Sequence, residues 1–109
     1  MTTFVLMALS NPAAGLSDEA VAQWYDGEHI PQIRAAIPGV GDVRRYRAAE
    51  AQPTPDGSVA YRYLTVYAID ADEAGSIVAA LGSGLASGAV KQGGVLDPVS
   101  TVLGVYGPA

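Results

Sequence analysis

Within eight residues, the segment Trp24-Tyr25-Asp26-Gly27-Glu28-His29-Ile30-Pro31 gathers an imidazole, a phenol, an indole and two carboxylates. His29 is the only histidine of the chain. Its side chain is the one whose ordinary pKa lies near neutrality, so it is the residue best suited to move a proton. Tyr25 stands one turn earlier and can share its helix face. Glu28 can orient the imidazole or exchange a proton itself. His29, Tyr25 and Glu28 are therefore the candidate catalytic residues, and Trp24 is a candidate pocket wall. Each also has a plainer reading: Trp24 as a core anchor, Glu28 as half of an ion pair, and His29 as a structural residue.

On uniform helical spacing Val21, Trp24, Tyr25, Glu28 and Gln32 fall on one face, with His29 at its edge. This places a carboxylate in the middle of a face that packs on a sheet, where it requires a partner such as Arg44, Arg45, Arg47 or Arg62. Pro31 removes the helical hydrogen bond to the carbonyl of Gly27, and Gly27 weakens the same turn. A kink is expected there, with inward polar groups bordering a pocket. The run Arg44-Arg45-Tyr46-Arg47 alternates across a strand, so at least one arginine points to each side. An inward one, with Arg45 as the candidate, can hold an anionic or enolate oxygen of a substrate. Tyr61, Tyr63 and Tyr67 share a strand face expected to lie in a barrel or dimer core, and Tyr63 is a further candidate substrate contact.

The elements that position these residues read as β-α-β-β-α-β. Phe4 to Leu9 is an apolar run closed by Ser10-Asn11-Pro12, a first strand. Ser17 followed by Asp18 and Glu19 starts a helix that runs toward Ile37 and stops at Pro38-Gly39. Val40 to Tyr46 is a second strand, residues 51–58 a loop with two prolines and an Asp-Gly, and Tyr61 to Ile69 a third strand. Asp70 and Glu73 have capping-box spacing and open a second helix carrying Ile77, Val78 and Leu81, which glycines 82, 84 and 88 break or loosen. Val99 to Tyr106 is the last strand. The expected class is α+β, a ferredoxin-like four-stranded antiparallel sheet forming one domain over residues 1–109. FVLMAL, YLTVYAI and VLGVY are apolar to both sides, so the face away from the helices needs a cover, and a twofold partner supplies one as a homodimer.

Half of the 109 residues are hydrophobic and 16% are charged, a globular rather than a disordered composition. No apolar run reaches the ~18 residues of a membrane span, and the opening lacks the basic start of a secretion signal, which points to a cytoplasmic protein. The net charge of −5 with a single lysine argues against nucleic acid as a partner. The absence of cysteine removes disulfides, thiol nucleophiles and Cys-ligated zinc. Gly82-Ser83-Gly84 does not follow a strand, so it is no phosphate cradle. No metal site and no cofactor are expected.

Asn11-Pro12, Trp24-Tyr25-Asp26-x-Glu28-His29-Ile30-Pro31, Pro38-Gly39-Val40 and Arg44-Arg45-Tyr46, in this order, resemble the EthD-like branch of the dimeric α/β barrel superfamily. The resemblance implies a barrel made by two chains and a pocket between sheet and helices. It also implies proton transfer on a small hydrophobic cyclic or aromatic compound, with His29 at the position of the first-helix histidine that some relatives use. The expected function is a cofactor-free isomerase, lyase or cyclase. The alternatives are a cofactor-independent oxygenase of phenolic or anthrone-like substrates, or a non-catalytic ligand-binding or structural dimer.

Overall fold

The computed structural model describes residues 1–91 and 93–109. Strands β1 (Thr2–Ser10), β2 (Val40–Arg47), β3 (Tyr63–Ala71) and β4 (Val102–Tyr106) form one antiparallel sheet in the order β2-β3-β1-β4. Helix α1 (Asp18–Trp24) runs through a π turn (Tyr25–His29) into α2 (Ile30–Ala36), and α3 (Ala74–Ser87) connects β3 to β4. This is the ferredoxin-like α+β arrangement expected from the pattern of elements.

The first helix starts where its capping residues place it. Ser17 Oγ accepts from the amide of Ala20 at 3.1 Å, and Asp18 and Glu19 lie in the first turn, where the helix dipole favours negative charge. One turn on, the amide of Ile30 donates to the carbonyl of Tyr25, five residues back. The prolyl ring of Pro31 has no N–H and crowds the carbonyl one turn earlier, and the widened turn accommodates both effects. The extra residue turns everything after it back by about 100°. His29 consequently takes the inward direction that uniform spacing gives Glu28, and Ile33 and Ile37 become the core stripe of α2. Each contributes about 1.5–3 kcal/mol of apolar burial. Glu28 is exposed rather than central to the buried face, and it needs no arginine.

Other boundaries shift for local reasons. Asp70 is not a helix cap: its amide donates to the Gly39 carbonyl at 2.9 Å and its carboxylate accepts from Thr3 Oγ1, so it extends β3. Glu73 occupies the N-cap of α3 without a side-chain bond. Of the expected core residues of α3, Ile77 is buried, whereas Val78 points to solvent. The helix runs through Gly82 and Gly84 and ends at Gly88, whose φ of +81° is the left-handed cap that glycine adopts freely. β3 starts at Tyr63 rather than Tyr61, because the Arg62 amide is taken by Asn11 Oδ1 at 2.9 Å. β4 starts at Val102 rather than Val99, because Asp97 folds residues 97–101 into a turn by accepting from the Val99 amide and Ser100 Oγ, both at 3.1 Å.

Opposed residues of antiparallel strands share a face. Leu6, Ala8 and Ser10 of β1, Tyr63, Thr65, Tyr67 and Ile69 of β3, and Val43, Arg45 and Arg47 of β2 therefore face the helices. Tyr63 and Tyr67 accordingly pack between sheet and helices and not in a dimer core, and Tyr61 precedes the strand. The other face carries Val5, Met7 and Leu9 of β1, Leu64 and Val66 of β3, Arg44 and Tyr46 of β2, and Val102 and Tyr106 of β4. Among the described residues no element lies over it, and Tyr46 and Tyr106 are 50% and 54% exposed. Among the described residues no helix is long and apolar enough to cross a membrane.

The two glycines inside α3 should separate in a denaturation experiment. A Cβ at Gly82 meets nothing within 4 Å, so Gly82→Ala should stabilise by up to about 1 kcal/mol through helix propensity. A Cβ at Gly84 lies 2.8 Å from Val90 Cγ2 and 3.2 Å from Ala36 Cβ, so Gly84→Ala should destabilise by about 1–3 kcal/mol through overpacking. Urea unfolding midpoints of the two variants should move in opposite directions.

Candidate functional site

Beneath α1 and the π turn, against β2 and β3, lies a cavity of about 270 Å³. It is lined by Asp18, Val21, Ala22 and Tyr25 from the helical side and by Arg45, Tyr46, Arg47, Tyr63 and Thr65 from the sheet. The sheet register puts Arg45 opposite Thr65 and Arg47 opposite Tyr63, which brings both arginines to the helix side. A bulge between Val40 and Val43 sets this phase of β2, and Arg34 Nη1 steadies it by donating to the Gly41 carbonyl at 2.8 Å.

Asp18 is the electrostatic hub of the cavity rim. Its carboxylate accepts from Arg62 Nη2 at 2.7 Å and Nε at 2.8 Å, from Arg47 Nη1 at 2.8 Å, and from the Tyr63 hydroxyl. The Arg62 guanidinium, followed by the Tyr63 hydroxyl, holds this carboxyl well below the usual carboxylate range. Burial, reinforced by the bond to Asp18, raises the Tyr63 phenol in turn. Arg45 Nη2 bonds both oxygens of Asp26, at 3.1 and 3.0 Å, and its guanidinium carbon sits 5.8 Å from the centre of the Tyr25 ring.

Three hydroxyls on the cavity side of the sheet, Ser10 Oγ, Thr65 Oγ1 and Tyr67 Oη, are buried without a hydrogen-bond partner among the described residues. Thr65 is 1% exposed and lines the cavity itself. Burial pushes the Tyr67 phenol up, with the neighbouring Tyr25 adding to the effect, so it remains a protonated donor.

Of the residues singled out from the sequence, Tyr25, Arg45 and Tyr63 line the cavity together. Trp24 instead borders a separate crevice of about 40 Å³ with Leu96, Pro98 and Thr101. His29 is half-buried outside the cavity lining, stacked on Trp24 with ring centres 4.4 Å apart and edge-on to Tyr25 at 5.5 Å. Its Nδ1 is buried and has no hydrogen-bond partner among the described residues. Burial lowers its pKa, opposed by the backbone of Lys91, so the imidazole is neutral at pH 7. Glu28 is exposed in a surface depression with Gly27, Pro31, Gln32, Ala35, Ala89 and Lys91. Asp18, Asp26 and Thr65 escaped the sequence reading. Only Thr65 carried a signal, a polar residue at the phase of Tyr63 and Tyr67 in an otherwise apolar strand.

No protein-family model matches this sequence, and no curated protein matches it. Solved structures do match along the whole chain. An ethyl tert-butyl ether D (EthD) family protein from Bacillus halodurans superposes with a TM-score of 0.57 at 19% identity, covering 100% of both chains. A dimeric ferredoxin-like protein of unknown function from Thermobifida fusca superposes with a TM-score of 0.55 at 14% identity, covering 98% of this chain and 92% of the other. The class is thus that of ferredoxin-like α+β proteins. Within it, the likeness to an EthD family protein expected from the Trp24–Pro31 segment holds at the level of the fold.

The depressed pKa of His29 gives stability a definite pH dependence. Its contribution is fully present above the ordinary value of 6.5 and is lost as the pH falls from there toward the lower folded value, because the unfolded chain binds the proton more tightly. The Asp18 contribution has the same sign but is lost only below its ordinary value of 3.8. Thermal unfolding should therefore show a decline in Tm beginning at about pH 6.5. His29→Phe keeps a ring against Trp24 and should abolish this first decline while leaving the acid one.

Proposed function

We propose that the protein is a homodimer that binds a small hydrophobic cyclic or aromatic molecule in the cavity beneath α1. There it rearranges that molecule by proton transfer, as an isomerase, lyase or cyclase, without a cofactor. The observation carrying this reading is the cavity surface: aromatic and aliphatic walls, the helix-side guanidinium groups of Arg45 and Arg47, and the fully buried Thr65 hydroxyl, which has no partner among the described residues. An unbonded buried hydroxyl costs free energy that a ligand bond recovers, and an apolar pocket with a few convergent polar groups is the usual form of a small-molecule site. Arg45 stabilises an oxyanion or enolate, Tyr25 meets the ligand and exchanges the proton, and His29 acts on Tyr25 as a positioning residue. Tyr63 walls the ligand, while Trp24 fixes His29. Glu28, on the surface, has no step within the cavity.

A binding protein without catalysis is the second reading, favoured by the position of His29 outside the cavity lining. Proton exchange separates the two. In deuterium oxide, 2-tetralone and other enolisable cyclic ketones that bind should lose their acidic C–H signals faster with the protein than without it. Tyr25→Phe should reduce the enhancement by roughly 10²-fold or more. Binding across such a panel with no acceleration would leave the cavity as a binding site alone.

The homodimer rests on the uncovered apolar sheet face and on the description of a structural neighbour as dimeric. Light scattering at micromolar concentration should give twice the 11.1 kDa chain mass. Val66→Asp, in the middle of that face, should give monomers. The interface should exceed ~1,000 Å² in total. A wild-type monomer under these conditions would rule the arrangement out.

A further inference from the structure

We propose that the molecule bound in this cavity carries an anionic oxygen, a carboxylate or an ionised phenol, and that this oxygen takes Arg45 from Asp26. The inference rests on the reading of the cavity as a small-molecule site and names the class of its ligand.

Charge distribution gives the first argument. The chain carries a net charge of −5, yet Arg45 and Arg47 line this cavity and Arg62 binds Asp18 at its rim. Asp18 is committed to Arg47, Arg62 and Tyr63. Arg45 is held differently. Both of its bonds to Asp26 come from the single nitrogen Nη2, so the paired donor edge that fits a carboxylate is unused toward Asp26. The Asp26 side chain is 64% exposed, whereas that of Arg45 is 32% exposed. Asp26 is a loosely seated counterion that can return to water at little cost, because exposed ion pairs contribute little to stability.

The second argument is the position of the unpartnered hydroxyl. Arg45 and Thr65 are direct cross-strand partners on the cavity face, so their Cβ atoms lie about 4.5–5.5 Å apart. One oxygen entering the cavity between them can accept an N–H from Arg45 and the O–H from Thr65. That bond satisfies the buried hydroxyl and gives Arg45 a less solvated counterion than Asp26. The Tyr25 ring beneath the guanidinium holds Arg45 in place for this exchange. The volume of about 270 Å³ lies near the lower end of ligand pockets and suits a body of one or two rings.

The probes are 1-naphthoate and its neutral analogue 1-naphthamide, titrated by calorimetry at pH 7 and low ionic strength. The wild-type protein should bind naphthoate roughly tenfold or more tightly than naphthamide. Arg45→Gln should abolish that preference, and Thr65→Val, which removes an unbonded buried hydroxyl and should fold normally, should reduce it. Asp26→Asn removes the competing anion and should tighten naphthoate while leaving naphthamide unchanged. Equal affinity for the two probes, or a preference for naphthoate that survives Arg45→Gln, would overturn the anionic class while leaving a neutral ring site. Failure of the wild type to bind either probe would overturn the cavity reading together with this one. An unchanged naphthoate affinity in Asp26→Asn would refute the displacement.

Discussion

The missing amide of Pro31 sets the register of the first helical segment, and that register decides which side chains meet the sheet. A continuous α-helix would place Glu28 against an apolar surface, where a lone carboxylate is costly. Widening a single turn at Tyr25–His29 moves the carboxylate to solvent and turns the imidazole inward. The same step lets Val21, Trp24 and Tyr25 serve one buried cluster while Ile33 and Ile37 serve another. A local backbone constraint thus divides the helical layer into a half that packs tightly on β1 and β3 and a half that stands off the sheet over the cavity.

The cavity end of the molecule is held by polar bonds beside the small apolar cluster of Val21, Trp24, Tyr25 and Tyr63. Asp18 ties the start of α1 to β2 through Arg47, to β3 through Tyr63 and to the residue just before β3 through Arg62. Asn11 bonds the Arg62 amide, the Ala60 carbonyl and Ser100 Oγ, which joins the end of β1 to the long β2–β3 loop and the segment before β4. These bonds ring a space that side chains do not fill. A core continued to this end would have needed larger apolar residues where Ala22 and Thr65 stand.

Arginine placement follows from the sheet. Once the bulge in β2 sets its phase, Arg45 and Arg47 must fall on one face and Arg44 on the other. The chain is acidic as a whole and yet places Arg45, Arg47 and Arg62, three of its five arginines, around a single cavity, a charge pattern that composition alone conceals.

The sequence by itself determined the order of elements, the α+β class, the helix start at Ser17, the disturbance near Pro31 and the apolar character of both sheet faces. Each of these follows from local rules: capping chemistry, the absent proline amide and period-two alternation. The candidate site was legible in part, since Tyr25, Arg45 and Tyr63 were named and do meet in one cavity. Tertiary structure decided the rest. Whether a disturbed helix kinks or widens depends on what its following turn packs against, so the sequence alone placed Glu28 on the wrong face. The capping-box spacing of Asp70 and Glu73 lost to a strand that continues because Gly39 pairs with Asp70 across the sheet. Asp18 and Asp26 met the cavity's arginines through register and long-range pairing, which bring together residues far apart in the chain and leave no mark in local spacing, whereas Thr65 showed in the sequence only as a polar residue at the phase of Tyr63 and Tyr67.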